Sequence, residues 1–251
     1  MHLLTPSQAA ALLDWFGPER PGPLVAQHVA LTGNGAVFVD RWPEPRAALA
    51  ATADNLTLAG DPAVLTPEQL RRHVIGFLDA PESFAPLLRE AFPDMAVWDR
   101  VIFALEGPLR PAPPADAEVR RLGPDDAYQL WALSRESGWV AKTWSGPPGL
   151  AASGMAWGGF VEGRLVAVAC TFFLGRGHEE IGVATEPGFR RRGLSAACAA
   201  GLCADIIARG RTPSWTTSPD NVASMRVAEK LGFTLRRRDV LYVVGIPIPQ
   251  P

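Results

Sequence analysis

Glu180-Ile181-Gly182-Val183-Ala184-Thr185 runs into Glu186-Pro187-Gly188-Phe189 and then into Arg190-Arg191-Arg192-Gly193-Leu194-Ser195. The first six residues read as a strand, Pro187-Gly188 as a tight turn, and Gly193 to Arg209 as a long helix stopped by Gly210. Basic residues and a glycine therefore stand at the first turn of a helix. Unpaired N–H groups point outward there, and the helix dipole favours an anion. Gly193 permits close backbone approach, and the small Ser195 and Ala196 leave room beside it. The expectation is a cradle for a pyrophosphate. No Gly-Lys-Ser/Thr follows, so the loop is not of the Walker type, and the three-glycine dinucleotide fingerprint is absent.

Downstream, Ser214–Thr217 reads as a short strand, Asn221–Leu231 as a helix and Phe233–Val244 as a final strand pair. Upstream, Val119–Leu122 reads as a strand, and Gly123-Pro124-Asp125-Asp126 opens a helix through Leu133 with acidic residues in its first turn. Phe160 to Val166 carries a hairpin signal around Glu162-Gly163, and the second strand of that hairpin continues to Leu174. The order strand, helix, hairpin, strand, helix, strand, helix, strands describes an α/β fold with a mixed sheet covered by helices.

Pro108, Pro111, Pro113 and Pro114 crowd one short run, which reads as an extended connector. It predicts a smaller mixed α/β domain over residues 1–110 and a second domain over 115–251. In the first, Thr66, Pro67 and Gln69 form a capping box, and Leu70, Val74, Phe77 and Leu78 follow at helical spacing. Ser83–Phe92 reads as a helix; Val25–Leu31, Ala36–Val39, Asn55–Ala59 and Val97–Leu105 read as strands.

The 251 residues are 47% hydrophobic and 20% charged, and the net charge is −2. That balance is ordinary for a folded chain and gives no reason to expect nucleic acid or an anionic membrane as partner. No apolar run approaches the roughly 20 residues needed to span a bilayer. Three cysteines, with Cys198 and Cys203 on one helix, do not suggest a disulfide framework. A cytoplasmic protein is expected. His2, His28, His73 and His178 lack metal-ligand spacing, so no metal is expected; only His178 is placed to face the site.

Arg190-x-x-Gly193-x-Ser195, taken with Asn221 and the ending Glu229-Lys230-Leu231-Gly232-Phe233, resembles the GNAT superfamily of N-acetyltransferases. Ser195 stands where that family usually has Gly or Ala. The resemblance covers about residues 118–245. The runs Glu180–Thr185, Arg190–Leu194, Pro213–Trp215 and Asn221–Phe233 are similar to the branch containing the zwittermicin A resistance acetyltransferase. Ala36–Asp40 and Leu56–Asp61 resemble the N-terminal half of that branch.

The resemblance implies a GNAT acyl-CoA fold in the C-terminal half and transfer of an acetyl group from acetyl-CoA to the amine of a small molecule, such as an antibiotic or a metabolite. It implies that the strand Ile181–Thr185, with Ile181, Val183 and Thr185, splays from Ser214–Ser218 to admit acetyl-CoA. The N–H groups of Arg191, Arg192, Gly193, Leu194, Ser195 and Ala196 would meet the pyrophosphate, with Arg190 beside them. Asn221 and Ser224 would lie along the pantetheine arm. A backbone N–H near Val183 would stabilise the oxyanion.

Glu179 and Glu180 are both candidates for the general base that the amine requires, and as neighbours on a strand they point to opposite faces. Each also reads as a strand-end carboxylate in solvent, and the sequence does not choose between them. The tyrosine that serves many such enzymes as general acid is replaced by Ala228, leaving Ser218 or Ser224 as substitutes, or water, or an unassisted thiolate. Trp139, Trp144 and Trp157 read either as acceptor-pocket residues or as core. Cys198 and Cys203 read as core. The alternative function is an acyl-CoA-binding module or sensor without catalysis. A homodimer is left open.

Overall fold

The computed structural model describes residues 1–112 and 116–250. Pro113 and Pro114 of the expected connector lie outside the described residues. Among the described residues, the strands are β1 (His2–Leu3), β2 (Ala36–Val39), β3 (Ala47–Thr52), β4 (Asn55–Gly60), β5 (Gly76–Asp79), β6 (Ala96–Ala104), β7 (Glu118–Arg121), β8 (Ala156–Val161), β9 (Arg164–Leu174), β10 (His178–Thr185), β11 (Thr212–Thr217) and β12 (Thr234–Val244). The α-helices are α1 (Pro6–Ala11), α2 (Val25–Thr32), α3 (Pro67–Arg71), α4 (Ala85–Ala91), α5 (Ala127–Trp131), α6 (Pro147–Ser153), α7 (Leu194–Ala208) and α8 (Val222–Leu231).

The chain forms two compact units. One comprises Met1–Pro18, Pro23–Arg100 and Arg238–Pro251; the other comprises Glu19–Gly22 and Val101–Arg237. The division thus falls within β6 and β12, whereas the sequence pattern placed it at the proline run. Residues Glu19–Gly22 belong with the second unit, where Arg176, Gly177 and His178 each donate a backbone N–H to the Glu19 carboxylate.

In the first unit the strand order is β1-β2-β3-β4-β5, followed by the end of β12; only β4 and β5 run parallel. In the second unit the order is β7-β8-β9-β10-β11, followed by the end of β6, and only β10 and β11 run parallel. Each unit is therefore four strands of antiparallel ladder, one parallel neighbour and one antiparallel closing strand. Both repeat a single topology.

The mixed α/β architecture with mixed sheets agrees with the expectation, and the local readings differ in instructive places. Val25–Leu31 is helical, because Val25, Ala26, His28 and Val29 are buried as one helical face rather than alternately. The capping box at Thr66 is present, but α3 ends at Arg71. Gly76, at φ +131, turns the chain so that Phe77 and Leu78 enter β5, and a Cβ there would meet the Asp54 carbonyl oxygen at 2.2 Å. The spacing of Phe77 and Leu78 from Leu70 is coincidental. Phe233–Val244 forms the single strand β12 rather than a pair.

Two apolar clusters sandwich the sheet of the second unit. On one face Leu194, Cys198, Leu202 and Ile206 of α7 pack with Ala228 and Leu231 of α8 against Val166, Ala169 and Ile181. On the other, Val140, Trp144 and Leu150 pack against Val168 and Cys170. The interior of the first unit is built on Leu49, Leu58, Leu78, Phe84 and Leu88.

Candidate functional site

Strand β10 pairs with β11 only through His178, Glu179 and Glu180, opposite Thr212, Pro213 and Ser214. Beyond Glu180, β10 continues to Thr185 paired with β9 alone, while β11 continues to Thr217 paired with β6. The parallel pair therefore opens, and strand backbone that would form ladder bonds faces the gap. The β9–β10 register shifts between Glu180 and Ile181, at the level where the strands part. Ile181 and Val183 pack into the cluster beneath α7. Gly182 lies on the opposite face under Trp139 and Phe172; a Cβ there would stand 3.2 Å from both side chains.

The loop after β10 makes a 3-10 turn at Pro187–Phe189 and then takes positive φ at Arg191 (65) and Gly193 (77). Gly193 is the N-cap of α7 in the left-handed region, and no side chain caps the helix. The hydroxyls of Thr185 and Ser195 bond at 2.8 Å, tying the strand end to the first turn of α7. A cavity of about 300 Å³ opens here, lined by Thr185, Phe189, Arg191, Gly193–Ala196, Val227 and Lys230. Thr185, Arg191, Gly193, Leu194, Ser195 and Ala196 of the expected set therefore meet around one cavity.

Other expected residues are engaged elsewhere. Arg190 donates to Glu136 at 3.1 Å and to the Thr185 carbonyl oxygen, and Arg192 donates to the Asp116 carbonyl oxygen at 3.3 Å. Of the three arginines only Arg191 lines the cavity. Asn221 caps α8, its side-chain oxygen accepting from the Ser224 N–H at 3.0 Å. The Ser224 hydroxyl accepts from the Trp215 indole at 2.9 Å. Ser218 is buried, and its carbonyl accepts from Asn221 N–H.

The two glutamates differ sharply. Glu179 is fully buried on the α7 face, where Arg209 donates two hydrogen bonds, Arg211 one at 3.0 Å and the Thr171 hydroxyl another. With both oxygens held between two guanidiniums, Glu179 is occupied as an ion-pair centre. Glu180 is also buried but faces the other way, and the Ser214 hydroxyl donates to it. It stands at the last paired residue before the strands open.

Trp144 is core, donating to the Thr171 carbonyl, and Trp157 donates to Asp205. Trp139 alone of the three lies against Gly182. His178 bonds Glu19 through Nδ1 at 3.1 Å. Burial pushes the Cys198 and Cys170 thiols up to about 12 and raises that of Cys203 further, so none of the three is a ready nucleophile. Ala228 is fully buried in the cluster beneath α7 and α8. No group of His, Cys, Asp or Glu among the described residues is arranged to hold a metal.

Sequence reading missed Lys230, Phe189 and Val227 as cavity residues, and Glu186 as the residue that holds Ser134 at the start of the segment leading to Trp139. Glu186 accepts from the Ser134 N–H and hydroxyl. Its burial raises the carboxyl pKa, but hydrogen bonds from Ser137 and Ser134 outweigh that, and the net shift is downward. The composition offered one signal for Lys230. It is one of only two lysines, with Lys142, in a chain otherwise using arginine.

The opened parallel pair, the uncapped helix start and the cavity between them are the architecture of a family. Residues 22–242 match the GNAT acetyltransferase family, and the chain belongs to it. The match takes in most of both units, beyond the C-terminal region in which the motifs stand. An uncharacterised N-acetyltransferase encoded in the mutA 5′ region of Streptomyces virginiae is 40% identical over 212 residues, covering 83% of this chain and 90% of that protein. A GCN5-related N-acetyltransferase-like protein from Streptococcus suis superposes with a TM-score of 0.72 at 18% identity, covering 95% of this chain and 99% of the other. A tandem GNAT protein from the clavulanic acid biosynthesis pathway superposes with a TM-score of 0.57 at 14% identity, over 94% and 92% of the two chains. Both structural likenesses concern the fold. No helix among the described residues is long and apolar enough to cross a membrane.

Proposed function

We propose that this N-acetyltransferase-family chain uses acetyl-CoA as donor and acetylates the amine of a small molecule, an antibiotic or a metabolite, in the cytoplasm. The observation that carries the reading is the continuity of one path. The cavity at the uncapped start of α7 meets Thr185, and β10 leads from there to Glu180, about 16 Å along the strand, where β11 departs. Free amide hydrogens and the Arg191 and Lys230 cations suit a diphosphate. The open strand edges suit an amide-bearing arm. The coenzyme supplies the activated acetyl thioester; the protein holds it and the amine together, and orientation alone is worth roughly 7–11 kcal/mol.

Glu180 is the proposed base. It lies on the face of Gly182 and Trp139, at the mouth of the opening, with Ser214 fixing its carboxylate. An alkylamine has a pKa of about 10, so an acceptor ammonium must surrender a proton before its lone pair can attack. Glu179 is set aside because its oxygens are engaged by Arg209, Arg211 and Thr171. Ser224 and Ser218 remain the candidates for assisting the thiolate. Ser224 stands at the start of α8 with its hydroxyl already accepting from Trp215 and still able to donate.

The acceptor is proposed as a small amine entering over Trp139 and Phe172, whose rings meet edge-on at 5.2 Å. The resemblance of Glu180–Thr185 and Asn221–Phe233 to the zwittermicin A resistance branch supports an antibiotic-like amine. Thiol release from acetyl-CoA, followed across a panel of amines, tests the reading. Amine-dependent release is expected; tight CoA binding with no release for any amine would favour a sensor, which the buried Ala228 in place of an acid would suit.

A further inference from the structure

Ser214 and Thr216 stand two residues apart on β11, so their side chains leave the same face of the sheet. Trp215 between them leaves the other face, toward Ser224 of α8. Ser214 uses its hydroxyl on Glu180, at the last pair before the strands part. Thr216 stands one step further, where β10 has already turned away.

The Thr216 Oγ1 is buried and has no hydrogen-bond partner among the described residues. Its antiparallel neighbour on β6 is Ile102, a fully buried aliphatic side chain that offers none. A buried hydroxyl without a partner destabilises a fold, whereas valine of the same shape would not. This hydroxyl is therefore misplaced as a packing group. It is well placed as a binding group, because the adjoining side of β11 faces the opening.

We propose that Thr216 donates a hydrogen bond to a carbonyl oxygen at the thioester end of the bound acyl-CoA arm. A hydroxyl donor on a central strand is rigidly held, and it shares its face with Ser214 and Glu180. Thr216 thus fixes the acyl end beside the base, at the far end of the coenzyme from the Arg191 and Lys230 cations. The proposal rests on the coenzyme reading above and extends it from the diphosphate to the reacting end.

The test compares the wild type, Thr216→Val and Thr216→Ser in calorimetric binding of acetyl-CoA and of 3′,5′-ADP, which lacks the arm. Thermal melting of each protein without ligand accompanies it. The valine variant is expected to bind acetyl-CoA about fivefold more weakly, the serine variant within about twofold of wild type, and both to bind 3′,5′-ADP normally. Without ligand, the valine variant is expected to melt no lower than the wild type. Unchanged acetyl-CoA binding by a folded valine variant would overturn the assignment, as would equal weakening toward 3′,5′-ADP. If the wild type bound neither ligand, the coenzyme reading itself would fall and this proposal with it.

Discussion

The Ser214 hydroxyl donates to the Glu180 carboxylate across the last rung of the parallel β10–β11 pair, so the proposed base is anchored where the sheet begins to open. Replacing Glu180 by Gln keeps the shape and a partner for Ser214 while removing the proton acceptor. The turnover number at neutral pH is expected to fall about 100-fold, with acetyl-CoA affinity unchanged. Steady-state kinetics on an amine substrate, beside direct coenzyme titration, separates the two effects. Equal loss of both would assign Glu180 to binding.

Glu179 should behave in the opposite way. Its removal leaves Arg209 and Arg211 facing one another without the carboxylate that joins them. Glu179→Ala is expected to lower stability by about 3 kcal/mol, read as a shifted urea midpoint. The fraction that remains folded should bind acetyl-CoA as the wild type does.

One coenzyme per chain is expected, although the topology is repeated. In the first unit, the segment after β4 carries its own caps: Asp61 accepts from the Ala63 N–H at 2.9 Å, and Thr66 and Gln69 cap α3 reciprocally. The N–H groups of Ala63, Thr66 and Gln69, which stand where a diphosphate would meet the loop, are already used. Calorimetry with CoA should return a stoichiometry near one, and Ser195→Trp, which fills the second-unit cavity, should abolish measurable binding. A stoichiometry near two would contradict this.

Arg191 and Lys230 reach the cavity from the loop and from α8. Each replaced by Ala is expected to raise the dissociation constant for CoA about fivefold at low salt, with the difference shrinking as ionic strength rises. Binding titrations at two salt concentrations would show it.

Asp126 accepts two hydrogen bonds from Arg120 and one from the Gly123 N–H. The Arg120 bonds foremost hold its carboxyl below the usual range, against the opposing effect of burial. A depressed folded-state pKa gives stability that is present above the unfolded value of about 3.9 and is lost as pH falls through the folded one. Asp126→Asn should cost about 1–2 kcal/mol at pH 7 and should flatten the decline below about pH 4. Chemical denaturation across pH 3–7 checks both.

Much of the second unit could be read from sequence because its signals are local. Gly193 before a small-residue helix, Asn221 before α8 and the Glu162-Gly163 hairpin each act within a few residues. The first unit was harder. β3 is Ala47-Ala-Leu-Ala-Ala-Thr52, with no β-branched residue before its end, and lies buried between β2 and β4. Only its neighbours make it a strand, and alanine's own preference is for helix. Val25–Leu31, read as a strand, erred in the other direction. The roles of Glu179 and Glu180 depended on which face carries Arg209 and Arg211, thirty and thirty-two residues on. Adjacent side chains of one type gave no local cue. The pairing of Arg190 with Glu136 was likewise out of reach of local pattern, because the two stand fifty-four residues apart.

The routing of β6 and β12 leaves no place at which this protein can be halved. A fragment beginning at residue 115 would lack Val101–Ala104, the strand against which Ser214–Thr217 pairs, and would present a raw edge to solvent. A fragment ending at residue 110 would lack Tyr242–Val244, which closes against β5. Each half of the sequence is finished by a length of chain that the other half carries, so the two can be expressed and folded only together.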